Sequence, residues 1–110
     1  MYRGASGKLL LAYLREDQRE AILEQVPLDA ASRDRLRAEL VAIRQAGYAT
    51  SFGERQPEIA SLAVPVRRRS GTIAAALAVS GPESRLRPER MQALLPTVRS
   101  TAEGLGRLLP

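Results

Sequence analysis

Ile59-Ala-Ser-Leu-Ala-Val-Pro-Val66 and Thr72-Ile-Ala-Ala-Ala-Leu-Ala-Val-Ser80, joined by the polar run Arg67–Gly71, decide the fold of this chain. Both stretches carry apolar residues at odd and even positions alike, so both faces of the resulting strands need cover. Ser70-Gly71 supplies the turn chemistry of a hairpin between them. Side chains of an extended chain alternate in direction. Ile73, Ala75, Leu77 and Val79 therefore point one way, and Ala74, Ala76, Ala78 and Ser80 the other. In the first strand Ile59, Ser61, Ala63 and Pro65 share one face, and Leu62, Val64 and Val66 share its opposite. One side of the hairpin is greasy; the other is built from the smallest side chains. A helix packed closely on the small side explains this. So does a hollow whose walls are apolar and whose few polar groups, Ser80 among them, orient a small molecule. Ser61 is a lone hydroxyl that needs a partner when buried, since an unpaired one costs roughly 1–3 kcal/mol. A nearby backbone carbonyl would serve as well as a ligand.

Outward from the hairpin, Tyr48–Phe52 reads as a third strand and Gly53–Pro57 as a loop. The spacing of Leu36, Leu40 and Ile43 predicts a helix over Ser32–Gln45 with one buried stripe. Gly47 stands where a left-handed C-terminal cap is wanted. Shorter helices are expected over Gln18–Gln25, interrupted by Pro27, and from Leu9 to Leu14, with Ser6 as N-cap after the Gly4–Gly7 turn. Downstream, Gly81-Pro82 ends the second strand of the hairpin. Pro88 opens a last helix reaching Leu108, with Met91, Leu94, Leu95, Val98, Ala102 and Leu105 as its apolar stripe and Pro96 as a kink. The whole reads as an α+β fold, an antiparallel sheet of about three strands with flanking helices. Two open edges call for further strands from elsewhere or for another copy.

The totals narrow the chemistry. A chain of 110 residues, 45% apolar and 26% charged, is one ordinary globular domain. It has no Cys and no His, which excludes thiolate and imidazole nucleophiles, their metal sites and disulfides. No converging set of Asp, Glu, Ser and Lys replaces them, so an enzyme, a metal and a cofactor are not expected. No apolar run approaches the ~20 residues of a membrane span, and Met1-Tyr2-Arg3-Gly4 does not begin a signal peptide. No membrane partner is expected, and the lack of Cys is compatible with the cytoplasm. The net charge of +5 comes from sixteen Arg and one Lys against twelve acids, scattered along the chain as on a solvated surface. Arg67-Arg68-Arg69 reads as a charged hairpin tip, and Glu54 and Glu58 as solvated loop acids. Gly4-Ala5-Ser6-Gly7-Lys8 presents free amides at a helix start, which favours an anion or carboxylate. It is not a nucleotide-binding P-loop, whose glycine spacing is longer.

Four motifs in order resemble the effector-binding domain of IclR-type bacterial transcription regulators. They are Ala5-Ser-Gly-Lys-Leu-Leu-Leu-Ala-Tyr-Leu14, Arg37-Ala-Glu-Leu-Val-Ala-Ile-Arg-Gln-Ala-Gly-Tyr-Ala49, Ile59–Val66 and Ala76-Leu-Ala-Val-Ser-Gly-Pro82. The resemblance implies a GAF/profilin-like domain, here truncated to its C-terminal portion over residues 2–110. About three strands would lie upstream, together with a separate winged helix-turn-helix domain through which alone the parent protein contacts DNA. It further implies a small-molecule effector, in that family often a carboxylic acid or aromatic metabolite, and dimer or tetramer contacts between copies. The family's pocket positions fall here on the turn amides of Ala5 and Ser6, on Ser51, on Ile59 and Ser61, and on Ala78 and Ser80. Strand alternation independently pairs Ile59 with Ser61 and Ala78 with Ser80. The chain departs from the family pattern at Gly53-Glu54, where two acids are common, at Glu58, where glycine is usual, and at Ala78, which in some members is a second hydroxyl. These changes make a less polar pocket. The alternative is a homo-oligomeric interaction module whose pocket is incomplete or vestigial.

Overall fold

The computed structural model describes residues 3–54 and 56–110. Met1 and Tyr2, where the chain start is read, and Arg55, inside the Gly53–Pro57 loop, lie outside the described residues. The elements run α1 (Ala5–Ala12), α2 (Glu16–Gln25), α3 (Ala30–Ala46), β1 (Ala49–Phe52), β2 (Ile59–Arg67), β3 (Ile73–Pro82) and α4 (Pro88–Gly106). This is the expected α+β architecture, with a three-stranded antiparallel sheet in the order β1-β2-β3.

Local chemistry explains the boundaries. Asp29 caps α3 by accepting a hydrogen bond from the Ser32 amide at 2.7 Å. Gly47, at φ 79°, ends it in the left-handed conformation and donates its amide to the Ile43 carbonyl at 2.8 Å. Pro88 occupies the first turn of α4, and the helix runs through Pro96 to Gly106. Three sequence expectations need correction. The N-cap of α1 is Gly4, at φ 84°, and Ser6 lies inside the helix. A glycine can adopt that backbone without strain, so the turn needs no capping side chain. β3 continues through Gly81 to Pro82, because Ile59 pairs with Pro82 and Ala60 with Gly81. A bulge at Val66/Arg67 pairs Arg67 with Ile73 and Val66 with Ala75, so strict alternation between Ile73 and Leu77 is interrupted at Ala74.

The sheet separates two cores. On one side Ala60, Leu62, Val64 and Val66 meet Met91, Leu95, Val98 and Ala102 of α4, with Leu86, Leu77 and Val79 completing the cluster. On the other, Ala49 and Ala63 lie under Ala5, Leu9, Leu11 and Ala12 of α1, which in turn packs on Leu36, Leu40 and Ile43 of α3 and Leu23 of α2. Full burial of each Leu or Met in these clusters contributes roughly 1.5–3 kcal/mol. α4 closes so tightly on β2 that a Cβ on Gly106 would collide with the Arg67 carbonyl oxygen, so only glycine fits there.

Candidate functional site

Antiparallel register sets Ser51 opposite Ser61 and Ser61 opposite Ser80. Three hydroxyls therefore stand in one row across the sheet, spanning about 10 Å at ordinary strand spacing. The adjoining row on the same face is Ala49, Ala63 and Ala78. Ser61 Oγ and Ser80 Oγ are 3.0 Å apart, so the Ser61 hydroxyl is satisfied by another serine of the row. Exposure rises along it: Ser51 is buried, Ser61 half-buried and Ser80 exposed.

α1 crosses this face and touches all three strands. Ala5 is buried in the cluster that holds Ala49 and Ala63, and Ser6 is half-buried. The first amides of the helix have no intrahelical acceptor, and no side chain caps them. Ile59 is half-buried opposite Pro82, one step beyond the serine row, and Ala78 is exposed.

The two sequence explanations for the small-residue face thus divide the sheet between them. Over β1 and the middle of β2, α1 fills the space against Ala49 and Ala63. Along β3, Ala78 and Ser80 face solvent at an open edge, as a shelf and not an enclosed hollow. None of the seven expected residues lines either of two concavities found elsewhere, of about 500 Å³ and about 230 Å³.

Sequence reasoning missed two features. The first is Lys8, a buried cation on α1. Its side chain is 1% exposed, and Nζ donates to Glu39 Oε2 at 2.7 Å, Glu54 Oε2 at 2.7 Å and the Thr50 carbonyl at 2.9 Å. All three ammonium protons are used. One side chain therefore ties α1 to α3, to β1 and to the loop after β1. Glu54 is an ion-pair partner and not simply a solvated acid. The loop is also held by Gly53 N–H donating to the Ile59 carbonyl at 2.9 Å and Glu83 N–H to that of Glu58 at 2.8 Å. Glu58, where the family favours glycine, takes φ 65°, the left-handed region glycine tolerates best.

The second feature is the larger concavity, between the hairpin and the end of α4. Arg67, Arg68 and Arg69 from the hairpin meet Arg99 of α4 and Arg107 just past its end, with Glu103 the one acid among them; Tyr13, Gly47, Val64, Pro65, Ala102 and Gly106 form the rest of the wall. Arg99 donates to the Ala46 carbonyl at the end of α3 at 2.8 Å and lies over the Tyr48 ring at 5.5 Å. Arg67 lies over the Tyr13 ring at 5.2 Å. The arginines read as scattered are, at this place, gathered.

Shifted carboxyls lie away from both features, in the α2–α3 pair. Hydrogen bonding from Arg37 holds the Glu20 carboxyl below its ordinary range, and the Ser32 amide does the same to Asp29. Among the described residues no group of His, Cys, Asp and Glu is placed to hold a metal, and no helix is long and apolar enough to cross a membrane.

Comparison with known proteins agrees with this fold. The family described as bacterial transcriptional regulator IclR, C-terminal, matches residues 1–107. The chain is 32% identical over 108 residues to the HTH-type transcriptional regulator KdgR of Escherichia coli K12, covering 93% of this chain and 41% of that protein. A crystal structure from Rhodococcus sp. RHA1, described as a transcriptional regulator, superposes with a TM-score of 0.88 at 31% identity, over 96% of this chain and 46% of the other. The inducer-binding domain of the PobR transcription factor from Acinetobacter, a double mutant in complex with 3-hydroxybenzoic acid, superposes with a TM-score of 0.85 at 28% identity, over 98% of this chain and 66% of that one. The chain spans between 35% and 45% of the length of the curated relatives it matches. Those relatives carry the names of regulators and not of enzymes. A matched stretch of nearly the whole chain, the same sheet and helices, and the same motifs in order lead to one conclusion: this chain belongs to the IclR-type bacterial transcriptional regulators, as their C-terminal domain.

Proposed function

We propose that this chain is the effector-sensing and oligomerising portion of a cytoplasmic transcription regulator, and that its effector lies on the serine row. The single observation that carries this reading is the cross-strand alignment of Ser51, Ser61 and Ser80 on the sheet face that α1 crosses. A carboxylate at the amides of Ala5 and Ser6 gains from the helix dipole, and the hydroxyls of Ser51, Ser61 and Ser80 orient the rest of the molecule. Ile59 and Ala78 supply the apolar walls. Binding acts by differential affinity for two arrangements of the domain, which shifts their populations and with them the oligomer geometry. In the full-length regulator this re-spaces two DNA-reading domains on their half-sites, and those domains alone make the operator contacts.

The effector class that fits is a small carboxylic acid, aromatic ones included. A thermal-shift panel of such acids, 3-hydroxybenzoate among them, tests the reading. One or more acids should raise the melting temperature, and Ser80→Val should weaken that response severalfold with little change in the unliganded protein. Silence across the panel, together with an oligomer that grows with concentration, supports a second reading. In it the chain is a homo-oligomeric module whose pocket is incomplete. The exposure of Ala78 and Ser80 at the unpaired edge of β3 is the observation in its favour.

A further inference from the structure

We propose that the arginine-walled concavity between the β2–β3 hairpin and the end of α4 binds a small, multiply charged oxyanion, a phosphate ester or a polycarboxylate, at a site separate from the serine row. Charge bookkeeping carries the argument. Five arginines against one glutamate give this wall +4, while the whole chain carries +5. All other residues together are thus within one charge of neutrality. Like charges held together repel one another unless something offsets them.

Nothing within the described chain offsets them. Among the described residues Arg67, Arg68, Arg69, Arg99 and Arg107 have no carboxylate within ion-pair distance, unlike Arg15, Arg19, Arg37 and Arg87; Arg33, Arg35, Arg44, Arg85 and Arg90 also lack one but do not line this concavity. Their anchors are neutral: the Ala46 carbonyl for Arg99, the Leu109 carbonyl at 3.4 Å for Arg69, and the Tyr13 and Tyr48 rings. A carbonyl or a ring orients a guanidinium and leaves its charge and most of its donors available. Planar forks held this way suit the paired oxygens of phosphate or carboxylate.

Size and shape select a small ligand. The space is about 500 Å³, within the range of small-molecule sites, and it is concave, with Val64, Pro65, Ala102 and Gly106 contributing apolar wall. The arginines come from two elements that the tight approach of Gly106 to the Arg67 backbone locks together. The backbone of the wall and the side chains of Arg67, Arg69 and Arg99 are therefore preorganised, which lowers the entropy cost of binding.

The test is titration of the 110-residue chain with inorganic pyrophosphate at fixed ionic strength, followed by calorimetry and thermal shift. One saturable site is expected. Arg68→Gln and Arg99→Gln should each weaken it about tenfold, as loss of one charge-assisted hydrogen bond does. Arg15→Gln and Ser80→Val should leave it unchanged, and Ser80→Val also separates this site from the effector row. Arg99 supports the end of α3, so Arg68→Gln, whose side chain extends from the hairpin tip, keeps the test independent of folding. Three outcomes overturn the proposal. They are no saturation up to about 10 mM pyrophosphate, an affinity in both arginine variants equal to that of the unsubstituted chain, and displacement of pyrophosphate by a short DNA duplex that binds more tightly.

Discussion

β2 has two faces, and they were finished differently. The side toward α4, with Ala60, Leu62, Val64 and Val66, is sealed, none of the four being more than 4% exposed. On the side toward α1 only Ala63 is sealed, while Ile59, Ser61 and Pro65 are half-buried. The same nine residues thus serve as core on one side and as a partly open polar shelf on the other. Stability is concentrated where large side chains interlock. The proposed recognition falls on the face where small ones leave backbone and hydroxyls within reach.

The comparison can be broken most forcefully at Leu62. Leu62→Ala should cost about 2–5 kcal/mol, as buried leucine truncations do, whereas Ser61→Ala on the adjacent position should cost under about 1 kcal/mol. Urea unfolding of both variants measures this. Similar losses at the two positions would mean that the faces are not distinct.

A smaller effect should follow Lys8→Met, which keeps the length of the side chain and removes its charge. Glu39 and Glu54 are 46% and 35% exposed and can return to water, so the loss should be about 1–2 kcal/mol. Amide exchange should show the loop after β1 loosening, with faster exchange at Gly53 and Ile59. Unchanged exchange there would show that the lysine does not hold the loop to α1.

The least pronounced contrast is in acid. Glu20 and Asp29 have folded-state pKa values below their unfolded ones. Their contribution is therefore complete above the ordinary carboxylate range and is lost as pH falls through the lowered values. Both belong to the helix pair on the α1 side. On acidification below about pH 4, amide exchange should rise in α2 and α3 before it rises in α4, and Glu20→Gln should flatten that response.

Much of this was written locally. Alternation alone assigned Leu62, Val64 and Val66 to one face and Ser61 and Ala63 to the other, because a period of two cannot be satisfied in any other way by an extended chain. Gly47 and Pro88 marked the end of α3 and the start of α4 through φ angles that few residues share. What stayed hidden depends on distance along the chain. Lys8 lies 31 residues from Glu39 and 46 from Glu54, so no spacing announces that they meet. Arg99 and Arg107 join Arg67–Arg69 only because α4 returns across the sheet. The start of α1 was misread because a serine is the commoner cap, while the backbone there needed the freedom of Gly4. The openness of Ala78 and Ser80 depends on what lies beyond the β3 edge, which no residue within β3 encodes.

The bulge at Val66/Arg67 has a consequence for how this domain can change. It absorbs one residue between the hairpin tip and the paired rows below it. Ordinarily a one-residue slip would turn every side chain of a strand over. With the slack taken up at Ala74, insertions or exchanges in the tip can remodel the basic hollow while Ser61 and Ser80 keep their orientation. The two surfaces proposed here on a single hairpin can therefore diversify on separate schedules.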